Sequence, residues 1–169
     1  MTVEEYLSQY GDLKSRFNFD RASFAALKAT LTDADAPEIM DDPVQTSPSK
    51  EAPYARDLER LYYLRAKIYL ERELLIRLKT EILELAKPLN PKEYALITMR
   101  YIRCEKWDNI IEAMHAKRAT VFRLNQALLQ RLVLPENALN VKEELERFDE
   151  QQSACWEILG IFRLPPALF

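Results

Sequence analysis

Glycine occurs only twice in this chain of 169 residues, at Gly11 and Gly160. An average chain of this length would contain about a dozen. Tight β-hairpin turns usually need glycine or an Asn-Gly pair, so few hairpins can form from this sequence. Hydrophobic residues make up 48% of the chain, which is enough for a packed core. The sequence therefore predicts an all-α protein, organised as a helical bundle.

Membrane insertion and secretion are not indicated by the sequence. No stretch approaches the roughly eighteen uninterrupted apolar residues that a membrane span needs. The segment MTVEEYLSQYGDL lacks the basic start and apolar run of a secretory signal. Cys104 and Cys155 have no cysteine-rich surroundings, and we interpret them as core-lining thiols in a reducing compartment. We therefore expect a cytoplasmic protein without a membrane partner.

Hydrophobic periodicity and composition divide the chain into five segments. The segment ADAPEIMDDPVQTSPSKEAP has no hydrophobic periodicity and contains four prolines, which is typical of a linker. The predicted segments are N-terminal amphipathic helices (1–31), a proline-rich linker (32–53), a long helix (54–87), a helix-turn-helix (88–134), and an acidic C-terminal helix with an apolar tail (135–169).

The long helix carries apolar residues at seven-residue spacing, as a coiled coil does. Leu70, Leu74 and Ile76 widen this apolar stripe beyond a two-stranded seam, which favours a bundle. Packing within the chain and homodimerisation therefore both remain open. Charged residues flank the stripe: Arg60, Arg65, Lys67, Arg72, Lys79 and Glu81. The residues predicted to form the dimer or bundle seam are Leu61, Leu64, Ile68, Leu75, Leu78, Ile82 and Leu85.

The stretch from Asn90 to Leu132 has the organisation of three helices that end in a helix-turn-helix. Asn90 is placed to cap a helix, Pro91 suits its first position, and Glu93 completes a capping box. Helical spacing continues to a break around Cys104, followed by a short helix from Glu105 to Met114 and a longer one after Lys117. Four apolar residues are predicted to form the core between these helices: Trp107, Ile110, Val121 and Leu124.

The charge is distributed unevenly, and the middle of the chain is basic. Residues 88–134 contain eight basic and four acidic side chains, whereas residues 1–52 contain five and ten, and residues 135–169 contain three and seven. Contact with phosphates needs a local basic face rather than a basic protein. The net charge of −3 therefore leaves DNA binding by the helix-turn-helix open.

The order of these parts resembles the small phage-encoded regulators of the ArpU and RinA kind, including related phage proteins of unknown function. The matching pieces cover roughly residues 1–132 and end in a segment related to region four of sigma factors. They are Met1-Thr2-Val3-Glu4-Glu5-Tyr6-Leu7, Asp42-Pro43-Val44, the helix 54–86, Arg100-Tyr101-Ile102, Trp107-Asp108-Asn109-Ile110 and Thr120-Val121-Phe122-Arg123-Leu124. The resemblance implies a regulator of phage transcription in the infected bacterial host, acting through DNA or RNA polymerase.

Carried over by position, the resemblance assigns the last helix of the motif to the major groove of DNA. An arginine there can make a bidentate contact with guanine. Lys106 would contact a phosphate beside the groove. The implied DNA-binding residues are Lys106, Lys117, Arg118, Thr120, Phe122, Arg123 and Gln126. The implied assembly is a homodimer that reads two half-sites.

Three positions depart from the usual motif. Ile111 replaces the small residue that lets the two helices cross closely, and His115 takes the turn position that usually needs glycine at positive φ. Lys117 replaces the expected Ser or Thr cap. One interpretation is a wider turn. The other is a motif that has kept its fold and lost DNA binding.

The second interpretation leads to a different function, a helical protein–protein interaction module. Its partner would be a host or phage protein such as RNA polymerase, a repressor or a defence factor. The apolar tail from Gly160 to Phe169 also favours this alternative, because so apolar a segment is expected to be covered.

Catalytic motifs are missing from the sequence. His115 is the only histidine, so a triad or a histidine-rich metal site is not available. Gly11 and Gly160 stand alone, so there is no glycine-rich phosphate loop. We therefore expect neither an enzyme nor a cofactor or metal site.

Overall fold

A computed structural model describes residues 1–34 and 51–158, without the side chains of 51–53 and 155–158. Every regular element in these residues is helical, which confirms the predicted all-α class. The elements are α1 (Val3–Ala34), α2 (Glu51–Ala86), α3 (Pro91–Ile97), a π-helical turn (Thr98–Ile102), α4 (Trp107–Ala113), α5 (Arg118–Arg131) and α6 (Val141–Ile158).

The ends of the first two helices differ from the predictions by a few residues. α1 runs to Ala34 and α2 begins at Glu51, so both edges of the predicted linker (32–53) are helical. Residues 3–31 form one helix rather than two, and α1 starts with a capping box in which Glu5 N–H donates to Thr2 Oγ1 at 3.2 Å. The Thr2 backbone N–H returns a hydrogen bond of 2.6 Å to Glu5, which lowers the pKa of that carboxyl. Most of the predicted linker, and the apolar tail from residue 159 onward, lie outside the described residues.

The described chain forms two compact units, and α1, α2 and α6 each contribute to both. The first unit contains Met1–Arg16 and Glu71–Glu143, so the predicted helix-turn-helix belongs to a larger body with parts of α1 and α2. The second unit contains the described parts of Phe17–Leu70 and Glu144–Phe169.

The first unit is built on fully buried apolar side chains from three helices. Tyr6 and Leu7 of α1, Leu78 and Ile82 of α2 and Leu96 of α3 are all 0% exposed. Full burial of a leucine or isoleucine contributes about 1.5–3 kcal/mol each. Tyr6 and Leu7 thus belong to the core face of α1, whereas Phe19, further along the helix, is 71% exposed.

Two polar side chains tie the segment between α5 and α6 to the first unit. Glu81 accepts a hydrogen bond from the Tyr6 hydroxyl at 2.9 Å and another from the Leu139 N–H at 3.1 Å. Gln9 accepts from the Val141 N–H at 2.8 Å and donates to the Leu139 carbonyl at 3.3 Å. The start of α6 is therefore fixed by α1 and α2.

The second unit buries an ion pair. Lys67 Nζ lies 2.9 Å from Asp20 Oδ2, and both side chains are no more than 10% exposed. Tyr63 donates a hydrogen bond of 2.7 Å to Asp149, and its ring lies 5.9 Å from that of Phe148. Lys67, predicted as a flanking residue of the seam, instead belongs to the buried stripe of α2.

The predicted seam is occupied by packing within the chain. Leu64, Leu78 and Ile82 are buried, and the other four seam residues are half-buried. Glu71, the polar residue within this stripe, is 0% exposed and lies 3.3 Å from Arg16. Packing of α2 within the bundle explains this seam without a second copy of the chain, and homodimerisation through it stays a prediction.

Cys104 is exposed, so its prediction as a core-lining thiol was wrong. The residue has a φ of 59° and follows the end of the helical stretch that begins at Pro91. Its Sγ lies 3.8 Å from the carbonyl oxygens of Tyr101 and Ile102. The side chain of Cys155 lies outside the described ones.

Candidate nucleic-acid interface

The helix-turn-helix is held together by a small apolar cluster of its own. Leu96, Ile110 and Val121, one each from α3, α4 and α5, are at most 1% exposed. Trp107 and Leu124 are half-buried against this cluster, so the four predicted core residues all pack there. The other residues packed on the cluster are Met99, Ile111, Met114 and Ala116.

The predicted start of the motif is confirmed in detail. Asn90 Oδ1 accepts from the Glu93 N–H at 3.0 Å, and Glu93 accepts from the Asn90 N–H at 3.3 Å, with Pro91 in the first turn. Glu93 Oε2 also accepts a hydrogen bond of 2.6 Å from Nη2 of Arg131, which lies in the last turn of α5. The end of α5 is therefore anchored to the beginning of α3.

The turn between α4 and α5 contains the predicted left-handed residue. His115 has a φ of 49°, a conformation that costs a residue with a Cβ about 1–2 kcal/mol. The Ala116 N–H still reaches the Ile111 carbonyl at 3.4 Å, and Ile111 is accommodated against the cluster. Ile111 and His115 therefore do not prevent the two helices from forming and packing.

Lysines stand at the N-cap positions of both α4 and α5. Neither Lys106 nor Lys117 makes a side-chain capping hydrogen bond. In α5 the Lys117 carbonyl accepts from the Thr120 and Val121 N–H groups, at 2.8 Å and 3.1 Å. α5 thus begins with an exposed cation beside the positive end of the helix dipole, an arrangement that favours anions. In α4 the exposed Lys106 is followed by Asp108 in the first turn.

Most of the predicted DNA-binding residues lie on exposed surface of α5 and at the two N-caps. The exposed ones are Lys106, Lys117, Arg118, Thr120, Arg123 and Gln126. The sequence of α5 contains no acidic residue. The exposed side of α5 is therefore polar and cationic.

Phe122 is the exception among the predicted contacts, because its ring is engaged inside the motif. It is half-buried, and its centroid lies 4.5 Å from that of Trp107. Arg118 lies over the Phe122 ring at 5.4 Å, and Arg100 lies over Trp107 at 4.8 Å. These four side chains form what we call the aromatic stack: Arg100, Trp107, Phe122 and Arg118.

Two polar features of this motif could not be found from the sequence. Asn125 is buried, and it accepts a hydrogen bond of 3.3 Å from the Tyr101 hydroxyl. Burial raises the pKa of Tyr101, which favours the protonated phenol that donates this hydrogen bond. The π-helical turn between α3 and α4 places Arg100 beside Trp107. Helical periodicity alone indicates neither feature.

No group of three or more His, Cys, Asp or Glu side chains in the described residues is placed to hold a metal ion. Within residues 1–34 and 51–158, every helix is too short or too polar to cross a membrane.

No family model, no curated protein and no solved structure matches the chain.

Proposed function

We propose that this protein is a DNA-binding regulator whose α5 docks in the major groove, as the resemblance to phage transcription regulators implies. The observation that carries the proposal is the exposed cationic side of α5, without an acidic residue in that helix. Lys106 and Lys117 supply further exposed positive charge, and Lys117 lies at the N-terminus of α5, where phosphates bind well. RNA polymerase as a further partner, and a homodimer as the binding form, belong to the same proposal.

The architecture of the motif supports this role. α5 is fixed at its start by the cluster around Val121 and at its end by the pair of Arg131 with Glu93. The exposed residues therefore sit on a rigid helix, so little conformational entropy is lost when they contact DNA. Arg118 and Arg123 are the residues expected to contribute most.

The test is DNA binding by the double variant Arg118→Ala/Arg123→Ala. Fluorescence anisotropy with duplexes from the associated genome, at several salt concentrations, should show salt-sensitive selective binding by the unaltered protein. The double variant should lose selective binding, and the slope of log K against log salt should fall by about 1 for each phosphate contact that is lost. Its helicity and melting temperature should stay nearly the same, because both arginines are exposed.

The matched control is Arg56→Ala/Arg60→Ala, which removes two exposed arginines of α2. If both double variants weaken binding equally, net charge rather than α5 determines the affinity. Unchanged affinity in the α5 variant would overturn the assignment of Arg118 and Arg123.

A second candidate function, binding to another protein, is favoured by the outward face of α2. Tyr62, Tyr69 and Ile76 recur at seven-residue spacing and are 60%, 65% and 53% exposed. Arg65 and Arg72 lie between them on the same side of the helix and are exposed as well. Tyrosine and arginine are the residue types that dominate binding energy at protein interfaces.

The candidate predicts that Tyr62→Ala/Tyr69→Ala abolishes function in the source organism while DNA binding and stability persist. Loss of function in Arg118→Ala/Arg123→Ala with full function in the tyrosine variant would exclude it. The apolar tail, which also favours this alternative, lies outside the described residues.

A further inference from the structure

Arg118 is held by contacts from both helices of the motif. Its Cζ lies 5.4 Å from the centroid of the Phe122 ring, one turn along α5. Its Nη1 lies 3.8 Å from Oδ1 of Asp108, in the first turn of α4. The side chain of Arg118 is nevertheless 70% exposed, so its other N–H groups remain accessible to solvent.

The aromatic stack restricts the ring against which Arg118 lies. Phe122 packs on Trp107 at 4.5 Å, and Trp107 is covered in turn by Arg100 at 4.8 Å. Arg100 is itself fixed by a hydrogen bond of 3.3 Å to the carbonyl of Glu105. This series of contacts limits the orientations that Phe122, and therefore Arg118, can adopt.

Asp108 is an unusual neighbour for a phosphate-binding helix. Its side chain is 86% exposed, so its charge reaches an approaching DNA backbone and repels it. The same carboxylate lies 3.8 Å from Nη1 of Arg118, too far for a hydrogen bond but close enough to attract that edge of the guanidinium. A guanidinium has five N–H donors in a fixed plane, so a second edge remains for a bidentate partner. In the major groove, the O6 and N7 acceptors of guanine match that edge.

We propose that Arg118 reads a guanine and that Asp108 is a positioning residue, which orients Arg118 and lowers affinity for unrelated DNA. This inference rests on the proposed DNA-binding function and adds the base that the site selects.

The experiment compares the unaltered protein with Asp108→Asn, Glu112→Gln and Arg118→Lys. Glu112 is the other carboxylate of α4 and is exposed. Among the described residues, Arg118 forms its ion pair with Asp108. Asp108→Asn and Glu112→Gln thus each remove one negative charge from α4. Only Asp108→Asn also removes the ion-pair partner of Arg118.

The probes are duplexes with a randomised centre, from which the unaltered protein selects a preferred sequence. The ratio of Kd values is then measured between that duplex and copies in which each G·C pair is replaced by A·T. The unaltered protein should discriminate by about tenfold or more at one guanine.

Both neutralising variants should bind unrelated duplex more tightly by about twofold, because one repelling charge is gone. Asp108→Asn alone should reduce the discrimination at that guanine, by about threefold. Arg118→Lys keeps the charge and should lose nearly all of the discrimination, because an ammonium cannot make the bidentate contact. Circular dichroism melts should be unchanged in all three.

Equal discrimination in Asp108→Asn and Glu112→Gln would overturn the inference and leave the DNA-binding function standing. Full discrimination in Arg118→Lys would also overturn it. Failure of the unaltered protein to retain any duplex at low salt would overturn both the inference and the proposed function.

Discussion

In the α3–α5 segment the lysines at positions 106 and 117 are exposed, whereas Lys67 in the second unit is buried against Asp20. The helix-turn-helix keeps an apolar cluster inside and its cations outside. The second unit has the Lys67 cation in its interior, where the ion pair with Asp20 fixes the pairing of α1 with α2. Charges on the first surface remain accessible to a partner, while the buried pair acts on the fold itself. The same residue type thus has two different roles, which mutation can separate.

The largest effect should come from breaking the buried pair. Lys67→Ala leaves the Asp20 carboxylate buried without its cation, and the free energy of unfolding should fall by about 3–5 kcal/mol. Lys106→Ala, on the exposed surface, should change it by less than about 0.5 kcal/mol. Urea denaturation followed by circular dichroism measures both.

A double variant sharpens this result. Asp20→Leu/Lys67→Met replaces both charges by apolar side chains and should recover most of the lost stability, because no charge is left buried alone. Similar losses in Lys67→Ala and Lys106→Ala would mean that Lys67 is not held inside the second unit.

An intermediate effect is expected from removing one hydroxyl in each region. Tyr101→Phe leaves the buried Asn125 oxygen without its donor and should cost about 1–2 kcal/mol. Tyr63→Phe removes a hydrogen bond to the exposed Asp149, where water can replace the donor, and should cost less than about 1 kcal/mol. The order of the two losses in urea denaturation checks the comparison, and a larger loss for Tyr63→Phe would contradict it.

The same tyrosine predicts a pH dependence. Burial raises the pKa of Tyr101 above its ordinary value of 10.0, so the folded protein keeps a proton that the unfolded chain releases. The stability from this group is therefore present below pH 10 and decreases as the pH rises above it. Tyr101→Phe should show a smaller decrease between pH 8 and about 10.5 than the unaltered protein.

An effect of the opposite sign is expected at the turn. His115→Gly relieves the left-handed strain and should raise the free energy of unfolding by about 1 kcal/mol. Ala116→Gly is the control, because Ala116 does not have a positive φ, and it should lower stability. Thermal melts distinguish the two signs, and a loss of stability in His115→Gly would mean that the imidazole makes a stabilising contact.

Local rules predicted the features that depend on neighbours in sequence. The capping box of Asn90 and Glu93, the break at Cys104 and the left-handed His115 follow from the conformational preferences of a few adjacent residues. The cluster of Ile110 and Val121 follows from helical spacing. These elements supplied the outline of the fold and the position of the candidate site.

Other features depend on partners that the sequence does not place. Lys67 resembles any other flanking lysine of a long helix until Asp20 is found beside it. Phe122 occupies a position on the last helix that resembles a DNA contact, but its ring packs on Trp107. Asp108 gave no sequence signal, because an isolated acidic residue in a first helical turn is common.

The hydrogen bonds that close the first unit have a consequence for the order of folding. The capping box and the pair of Arg131 with Glu93 join residues at most 38 positions apart, whereas Gln9 meets Leu139 and Val141 across 130 and 132 positions. Nearby contacts form faster than distant ones, because less chain entropy is lost when they close. During synthesis residues 1–16 therefore emerge before the helix-turn-helix but complete their packing after it has formed.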